Sequence, residues 1–447
     1  MVLDFIHQLD GGSIPTAVQQ RATVLLRDLI GVACAGSGTR LAQIARDHAA
    51  GCFGAGNDGS ARLLLDGRRC SPLGAAWAGA ALIDSYDAHD GHALTKGHAG
   101  VVLLPALLAL ADRAPGMTGP EFMVSLVLGY EMATRAGIAL HASAGDYHCS
   151  GAWNALGVAA VASRVLRLDA AQTAHAVGIA DYHGLRGLME RGVDHPTMLK
   201  DGAGPGAMVG LQSALLARAG FTGAPAGLLA EPFWNDLGAR WTLMEQYVKP
   251  YPVCRWAQPA IEAARALQTR HRFTADDISD IEVRTFHEAT RLDHPAPADT
   301  EQAQYSLPFP LAAMLVHGDL GTRRIDGAGL SDPGVLALAR RIRLLRDERF
   351  DAMFPGRRCA ELTVRLHSGA KWSSQVHEPR GEPHAPLSDA ELLAKYEGLA
   401  APVLGEVHSR TLAEGLPALW HEDTRSINGL LDLLLLPPDP QGGLEGI

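Results

Sequence analysis

The chain has 447 residues, of which 47% are hydrophobic and 20% are charged. This balance excludes a wholly disordered chain, and the length predicts two or three domains. The formal net charge of −10 argues against nucleic acid and anionic membrane surfaces as partners, although a cavity can still be locally basic.

Cysteine usage and the first residues predict a cytoplasmic protein. The six cysteines are spread singly and form no C-x-x-C pair, which argues against a zinc ribbon or a clustered iron–sulfur centre and predicts reduced thiols. The segment MVLDFIHQLDGGS lacks the basic stretch and apolar run of a signal peptide. No run of about 20 apolar residues predicts a membrane span.

From about residue 15 to residue 220, apolar residues recur every three or four positions, which predicts a block of packed helices. The run TAVQQRATVLLRDLIGVACAG shows this pattern, and we expect Thr16 to be its N-cap. Abundant Ala and Gly predict close packing, since small side chains let helix axes approach one another.

The pattern changes after Lys249. Alternation in DISDIEVRTFHEA predicts a half-buried strand, and ELTVRLHSG and KWSSQVHEP predict two more strands, joined by a hairpin at Ser368 and Gly369. Between the first strand and this pair, LPFPLAAMLVHG and DPGVLALARRIRLL predict helices. From Ser388 the pattern is helical again, and we expect this tail to rejoin the first block.

The predicted fold class is mainly α with an α+β part. A large all-helical domain would be discontinuous, with its first part at residues 1–248 and its C-terminal helices at residues 388–447. A smaller α+β domain at residues 249–387 would be inserted between these two parts.

Residues 84–100, DSYDAHDGHALTKGHAG, hold a dense cluster of chemically active side chains. Asp84 and Asp87 follow a helical pattern, and His89, His92 and His98 lie beyond it in a glycine-punctuated loop, where functional residues concentrate. The residues alone leave three interpretations open: an acid–base site, a metal site or a solvated loop. The spacing lacks the i, i+4 histidine pair of a helical zinc motif.

Two further segments carry side chains suited to an anionic ligand. His148 precedes Ser150 where a helix begins, so this segment would either bind an anion or only cap the helix. In VKPYPVCRWAQPA, Lys249 and Arg255 suit carboxylate binding, and a linker is the alternative. The segment MLKDGAGPGAMVG matches no phosphate-loop pattern, and we expect a turn at Lys200 before the next helix.

In this order, the segments resemble the MmgE/PrpD family, which includes 2-methylcitrate dehydratases, cis-aconitate decarboxylases and an iminodisuccinate epimerase. The resemblance extends over nearly the whole chain. It is carried by eight pieces in order: DSYDAH with GHAG, LPALLALAD, GYEMATRAG, YHCSGAWNALGVAAVASRVLRLDA, the KDG segment, GLQSALLARAGFTG, KPYPVCR and QYSLPFPLAAMLVHGDL.

The resemblance implies a homodimer with an active site between two domains, acting on small polycarboxylates with neither a metal nor an organic cofactor. The catalytic residues that it implies are Asp84, His98, His148, Lys200 and Lys249. The substrate-binding residues that it implies are Asp87, His89, Ser150, Arg255 and Phe309. The cationic side chains would hold carboxylates and stabilise the charge left when a proton leaves the adjacent carbon. His98 and His148 would move protons, and Asp84 would orient a histidine.

Several departures from the family pattern argue against assuming methylcitrate or cis-aconitate as the substrate. Ala88 stands where a threonine is usual, and Ala99 replaces a proline. Phe309 occupies the place of a tyrosine donor, and the motif at Lys200 reads K-D-G-A-G-P-G instead of K-x-L-H-x-G.

We therefore expect a lyase that acts on a small di- or tricarboxylate, with dehydration ahead of decarboxylation and epimerisation. One alternative is a family member that binds a carboxylate without turning it over. The other is a metal-dependent hydrolase built on His89, His92 and His98.

Overall fold

The computed structural model confirms the predicted fold class, because helices dominate and the sheets are small. The structure describes residues 2–56, 59–114, 116–230, 232–421 and 424–438. Helix accounts for 58% of the structure and strand for about 10%, so helix packing decides where most functional side chains lie.

In the described part of the chain, ten α-helices and four two-residue strands precede residue 249. The helices are α1 (Val2–Gln8), α2 (Thr16–Gly36), α3 (Arg40–Cys52), α4 (Pro72–Asp84), α5 (Gly100–Ala111), α6 (Gly119–Ser143), α7 (Asn154–Val165), α8 (Ala170–His183), α9 (Met189–Asp194) and α10 (Ala203–Arg218). The strands are β1 (Ala61–Arg62), β2 (Arg69–Cys70), β3 (Gly91–His92) and β4 (Gln246–Tyr247). Strand β1 pairs with β2 and β3 pairs with β4, both antiparallel.

Small residues bring the central helices of this block close together. A Cβ atom at Gly79 of α4 would lie 2.6 Å from the Cβ atom of Pro105 in α5. A Cβ atom at Gly157 of α7 would lie 2.7 Å from the Cβ atom of Ala133 in α6. Every residue of α5 is buried, so this helix forms the middle of the core. Helix axes this close follow from the Ala and Gly content.

The part of the chain between residues 258 and 373 consists of short helices and a four-stranded sheet. Its helices are α11 (Gln258–His271), α12 (His287–Thr290), α13 (Thr300–Gln304), α14 (Pro308–His317), α15 (Pro333–Ala339) and α16 (Glu348–Asp351). Its strands are β5 (Ile278–Thr285), β6 (Ile342–Arg346), β7 (Ala360–Leu366) and β8 (Lys371–Ser373), in the order β6-β5-β7-β8. Strand β5 runs parallel to β6 and antiparallel to β7, and the predicted hairpin joins β7 to β8.

Two local predictions are wrong. Residues 332–345 do not form one helix: α15 ends at Ala339, and Ile342 begins β6. The short alternation of buried Ile342 and exposed Arg343 is hidden behind the helical run that precedes it. Thr16 is the first residue of α2 rather than its N-cap, since Pro15 takes the cap position without a side-chain hydrogen bond.

The chain continues in three helices, which are α17 (Asp389–Leu404), α18 (Glu406–Gly415) and α19 (Thr424–Leu435). Helix α17 packs on α2, where Tyr396 faces Gly31. Lys395 of α17 donates hydrogen bonds to the carbonyl oxygen of Ala88 at 2.8 Å and to Oδ1 of Asp28 at 2.6 Å. The C-terminal helices thus lie on the first helical block and hold the loop that follows α4.

One helix of the described chain, α6, is long and apolar enough to span a membrane, which the sequence-based expectation had excluded. Within the fold, however, 94% of its most apolar window is buried. It carries the buried ion pair between Arg135 and Glu131, at 3.3 Å. This helix is packed as a core helix.

Candidate active site

The cluster at residues 84–100 forms a buried loop between α4 and α5. Helix α4 ends at Asp84, and α5 begins at Gly100. His89, His92 and His98 are 0%, 3% and 8% exposed. Burial of all three rings excludes the solvated-loop interpretation.

Strands β3 and β4 join this loop to the segment that carries Lys249. Gly91 pairs with Tyr247 in the antiparallel ladder. A Cβ atom at Gly91 would lie 2.4 Å from the Tyr247 hydroxyl and 2.7 Å from Nδ1 of His98, so no side chain fits there. This pairing places Tyr247 and Lys249 against the loop at residues 84–100, which we call the histidine loop. The two segments are far apart in sequence.

Asp87 and Lys249 form a buried ion pair. Nζ of Lys249 contacts Oδ1 of Asp87 and donates a hydrogen bond to the Asp87 carbonyl oxygen at 3.2 Å. The Asp87 N–H donates to Oε1 of Gln304 at 2.7 Å. Burial alone would raise the pKa of Asp87, but Lys249, with His98 and His89, outweighs burial and holds it well below its usual range. Asp87 is therefore a carboxylate at neutral pH.

His98 is held as a neutral base. Its Nδ1–H donates to the Asp90 carbonyl oxygen at 2.6 Å, and its Nε2 lies 3.6 Å from Oδ1 of Asp87. Burial, together with Lys249 and His89, lowers the pKa of His98 well below 6.5. The Nε2 lone pair is therefore available for a proton in the cavity.

Asp84 lies behind His98 and orients its neighbours. Nε2 of His89 donates to Oδ1 of Asp84 at 3.2 Å, and the His89 ring packs edge-on against His98 with centroids 4.3 Å apart. Oδ2 of Asp84 accepts a hydrogen bond from the Asp201 N–H at 3.3 Å. Asp84 thus connects the histidine loop to the turn at Lys200.

The predicted turn at Lys200 precedes α10. Lys200 and Gly202 take left-handed φ values of +49° and +71°. Nζ of Lys200 donates to Oε1 of Gln304 at 2.5 Å and lies 5.2 Å from the centroid of the Tyr305 ring. Gln304 therefore holds Lys200 and the Asp87 backbone at the same oxygen atom.

Ser150 and Asp201 support the backbone of His98. Oγ of Ser150 accepts a hydrogen bond from the His98 N–H at 2.9 Å and donates to Oδ2 of Asp201, and the Ser150 N–H donates to Oδ1 of Asp201 at 2.9 Å. Burial, then the nearby Asp84, raises the pKa of Asp201 to about 8. Ser150 does not cap the helix through its side chain, so the capping interpretation is wrong.

A small cavity brings these groups together. Asp87, His98, Lys249 and Arg255, all predicted site residues, line it. It offers about 30 Å³ to the centres of water molecules, which is room for a few waters. A polycarboxylate can enter only if the walls move apart. Two larger depressions of about 490 and 460 Å³ lie outside its walls, but neither combines the base with these cations.

The remaining predicted residues lie behind or away from the cavity. Asp84, His89, Lys200 and Ser150 contact its lining residues through the hydrogen bonds and ring contact described above. The His148 ring does not line it, and the His148 N–H donates to Nε2 of the His141 ring at 3.3 Å. Phe309 is fully buried in α14, away from the cavity lining.

The sequence analysis missed several lining residues, and the polar ones include Arg358, Lys96, Asp201 and the tyrosines Tyr147, Tyr247 and Tyr305. Asp201 lies within the segment MLKDGAGPGAMVG, and Lys96 lies within residues 84–100. Arg358 stands alone in GRRC, between α16 and β7, and no pattern in the sequence marks it.

The cavity walls are strongly cationic. Arg255 donates to Oε1 of Glu382 at 2.8 Å and to Oε1 of Gln258 at 2.7 Å, and its guanidinium carbon lies 4.5 Å from the centroid of the Tyr247 ring. Lys249 is balanced by Asp87. Among the residues that the structure describes, Lys96, Lys200 and Arg358 have no carboxylate within ion-pair distance, which leaves the site suited to a multiply charged anion.

Asp87, His89 and His98 are also the described residues that could approach a metal ion. One ligand atom from each lies within 4.8 Å of the others. Lys249 already neutralises Asp87, and the Nε2 atom of His89 faces Asp84. A metal would therefore have to displace an ammonium group and find a second free imidazole nitrogen.

Two family assignments cover most of the chain. Residues 2–235 match the MmgE/PrpD N-terminal domain, and residues 251–416 match the MmgE/PrpD C-terminal domain. The chain therefore belongs to the MmgE/PrpD family.

Its relatives include enzymes named for one reaction. The chain is 26% identical to a cis-aconitate decarboxylase-like protein, oryM, of Aspergillus oryzae, over 96% of each chain. It is 24% identical to a cis-aconitate decarboxylase of Aspergillus terreus, over 95% of this chain and 93% of that one. It is 26% identical to a cis-aconitate decarboxylase of Homo sapiens, over 98% and 94%. These relatives support, at the level of the family, an enzyme of the lyase class.

Proposed function

We propose that the protein is a lyase that acts on a small tricarboxylate through acid–base chemistry beside a carboxyl group, without a metal or an organic cofactor. The observation that carries this proposal is the neutral His98, which faces the Asp87–Lys249 pair among cations that lack acidic partners. Relatives named as cis-aconitate decarboxylases favour decarboxylation, which reverses the order expected from the sequence.

The cations supply binding and charge stabilisation. Lys249 lines the cavity together with His98, and Lys200 lies behind the lining, where Gln304 holds its ammonium group. Ammonium groups held in a water-poor site stabilise the negative charge that develops on a substrate carboxylate when the adjacent carbon becomes a carbanion.

A decarboxylation needs a proton donor rather than a base. The bond between the leaving carboxylate and its carbon breaks, CO₂ departs, and the electron pair delocalises towards a neighbouring carboxylate. A proton then adds to carbon. Asp201 lines the cavity and holds a proton near neutral pH because burial raises its pKa to about 8, so we assign the donor role to it. In a dehydration, Nε2 of His98 would instead remove the first proton.

The test is an NMR assay in D₂O of purified, chelator-treated protein with cis-aconitate, citrate, 2-methylcitrate, malate and iminodisuccinate. Loss of CO₂ with one deuterium in the product supports decarboxylation, and water loss supports dehydration. Deuterium exchange without net change supports the epimerase alternative. Tight binding with no exchange or turnover would instead indicate a carboxylate-binding protein without catalysis.

A metal-dependent hydrolase is the second candidate, because Asp87, His89 and His98 converge. Metal analysis decides between the two. Stoichiometric zinc or iron that is required for activity would support the hydrolase and contradict the acid–base proposal.

We also propose that the protein is a homodimer. A groove beside α9 and α10 exposes apolar side chains, including Leu188 and Leu199, of which Leu199 is 82% exposed. Exposed apolar surface of this kind favours burial against another chain. Light scattering after gel filtration tests this: a monomer at micromolar concentration contradicts the proposal.

A further inference from the structure

Arg358 is a buried cation that forms no ion pair with a carboxylate of the described residues. It is 3% exposed and lines the cavity. Nη2 donates to the Ala93 carbonyl oxygen at 3.2 Å, and Nη1 makes a long contact to the Pro355 carbonyl oxygen at 3.4 Å. Its Nε has no hydrogen-bond partner within the described residues.

Arg255 shows what a satisfied arginine in the same wall looks like. It is equally buried, yet its guanidinium group is held by the carboxylate of Glu382 and the amide of Gln258. A guanidinium group has five N–H donors and costs free energy when it is buried without acceptors. Arg358 therefore has N–H donors that are still available. A carboxylate can accept two parallel hydrogen bonds from a guanidinium group of this kind.

Lys96 adds a second positive charge to this wall, and no carboxylate of the described residues lies within ion-pair distance of it. Its Nζ lies 4.5 Å from the centroid of the Tyr147 ring, and both residues line the cavity. Burial lowers the pKa of Lys96, and the charge of Arg358 acts in the same direction, whereas Glu288 and Glu190 act to raise it. Two cations that repel each other across one wall are stabilised together by a single anion between them.

Arg358 and the His98 base are both close to the Tyr247 ring. The guanidinium carbon of Arg358 lies 5.8 Å from the centroid of the Tyr247 ring, and the His98 ring lies 6.4 Å from the same centroid. A carboxylate bound to Arg358 would therefore lie in the same cavity as the base, beside the ring that both residues approach.

We propose that Arg358 and Lys96 form the receptor for the substrate carboxylate farthest from the reacting carbon, and that they select tricarboxylates over dicarboxylates. This inference rests on the proposed function, because it assigns the third carboxylate of that substrate class. Lys249, which lines the cavity, would hold a carboxylate nearer to His98.

A cycle of two ligands and two proteins tests the assignment. Tricarballylate carries three carboxylates, and methylsuccinate is the same molecule without one terminal carboxylate. Calorimetry on the full-length protein should show that Arg358→Gln weakens tricarballylate binding roughly 30-fold or more. Binding of methylsuccinate should change less than about threefold, because it lacks the carboxylate that Arg358 holds.

Arg357→Gln is the matched control, because Arg357 is the adjacent arginine, lies at the surface and pairs with Glu378. It should leave both ligands unchanged. If Arg358→Gln misfolds by circular dichroism, Lys96→Gln replaces it, with a severalfold loss for tricarballylate only.

Equal weakening of both ligands, or no weakening of either, overturns the assignment. Failure of the wild-type protein to bind any polycarboxylate has a different meaning. It contradicts the proposed function first, and the receptor with it.

Discussion

Lys249 and Asp87 are buried together: the Lys249 side chain is 0% exposed and that of Asp87 is 5% exposed. Each charge depends on the other, because a buried ion that loses its partner keeps its desolvation cost. The pair lies beside Nε2 of His98, so the same contact that stabilises the fold also sets the field at the base.

Lys249→Met should therefore destabilise the fold by about 3–5 kcal/mol at pH 7. Adding Asp87→Asn should recover a large part of this loss, because the orphaned charge disappears. Urea unfolding measures both variants, with Lys371→Met at an exposed strand position as the control. A small effect of Lys249→Met, or no recovery in the double variant, contradicts the account.

With a substrate that is dehydrated, His98→Gln should lower kcat by roughly 10²–10⁴-fold while ligand binding is kept, because Nε2 of His98 removes the first proton. With a substrate that is decarboxylated, the loss should be smaller, because that reaction begins with the departure of CO₂. In the wild type, burial, Lys249 and His89 lower the pKa of His98, so the base stays unprotonated as pH falls through 6.5. We expect the acidic limb of the activity profile below pH 6.5. His384→Gln, at an exposed position, is the control. An acidic limb at or above pH 6.5 would argue against His98 as the base.

The raised pKa of Asp201 predicts that the folded protein loses stability as pH rises towards 8. This pKa is raised from 3.8 to about 8 by burial and by Asp84, so between these values the folded state binds a proton that the unfolded state does not. Stability from this group is present below pH 3.8 and falls as pH rises towards 8. Asp201→Asn should flatten the thermal stability between pH 6 and pH 8.5 and lower turnover. An unchanged slope would contradict the raised pKa.

Exhaustive dialysis against a chelator should leave turnover unchanged, because the ammonium group of Lys249 already pairs with the Asp87 carboxylate that a metal ion would need. The measurement is kcat before and after treatment, with metal content determined on the same sample. Loss of activity that returns with zinc or iron would move Asp87, His89 and His98 from acid–base roles to metal ligation.

Elements with a clear period or a recognisable turn could be predicted, including the three-residue β8 after the turn at Ser368 and Gly369, whereas other short strands could not. Long helices and the strand at 278–285 follow from local periodicity, whereas β6 follows a helix after two residues and has only five of its own. Strands β3 and β4 have two residues each, too few for any alternation to register.

The site divides in the same way. Asp87, His98, Lys249 and Arg255 belong to segments with recognisable composition, and they line the cavity. Arg358 reaches the cavity through tertiary structure alone, from a segment far along the chain from the Ala93 carbonyl that it contacts. The burial of the histidine loop could not be predicted from the sequence either, because a segment with many polar residues is normally exposed to solvent.

The contacts of Lys395 also affect when the loop at residues 84–100 can be completed during synthesis of the chain. The Lys395 ammonium group joins Asp28, near the start of the chain, to the Ala88 carbonyl beside Asp87. A ribosome must therefore synthesise the chain beyond residue 395 before the loop at residues 84–100 acquires this support. A nascent chain that stops short of Lys395 leaves Asp28 and the Ala88 carbonyl without their shared ammonium group.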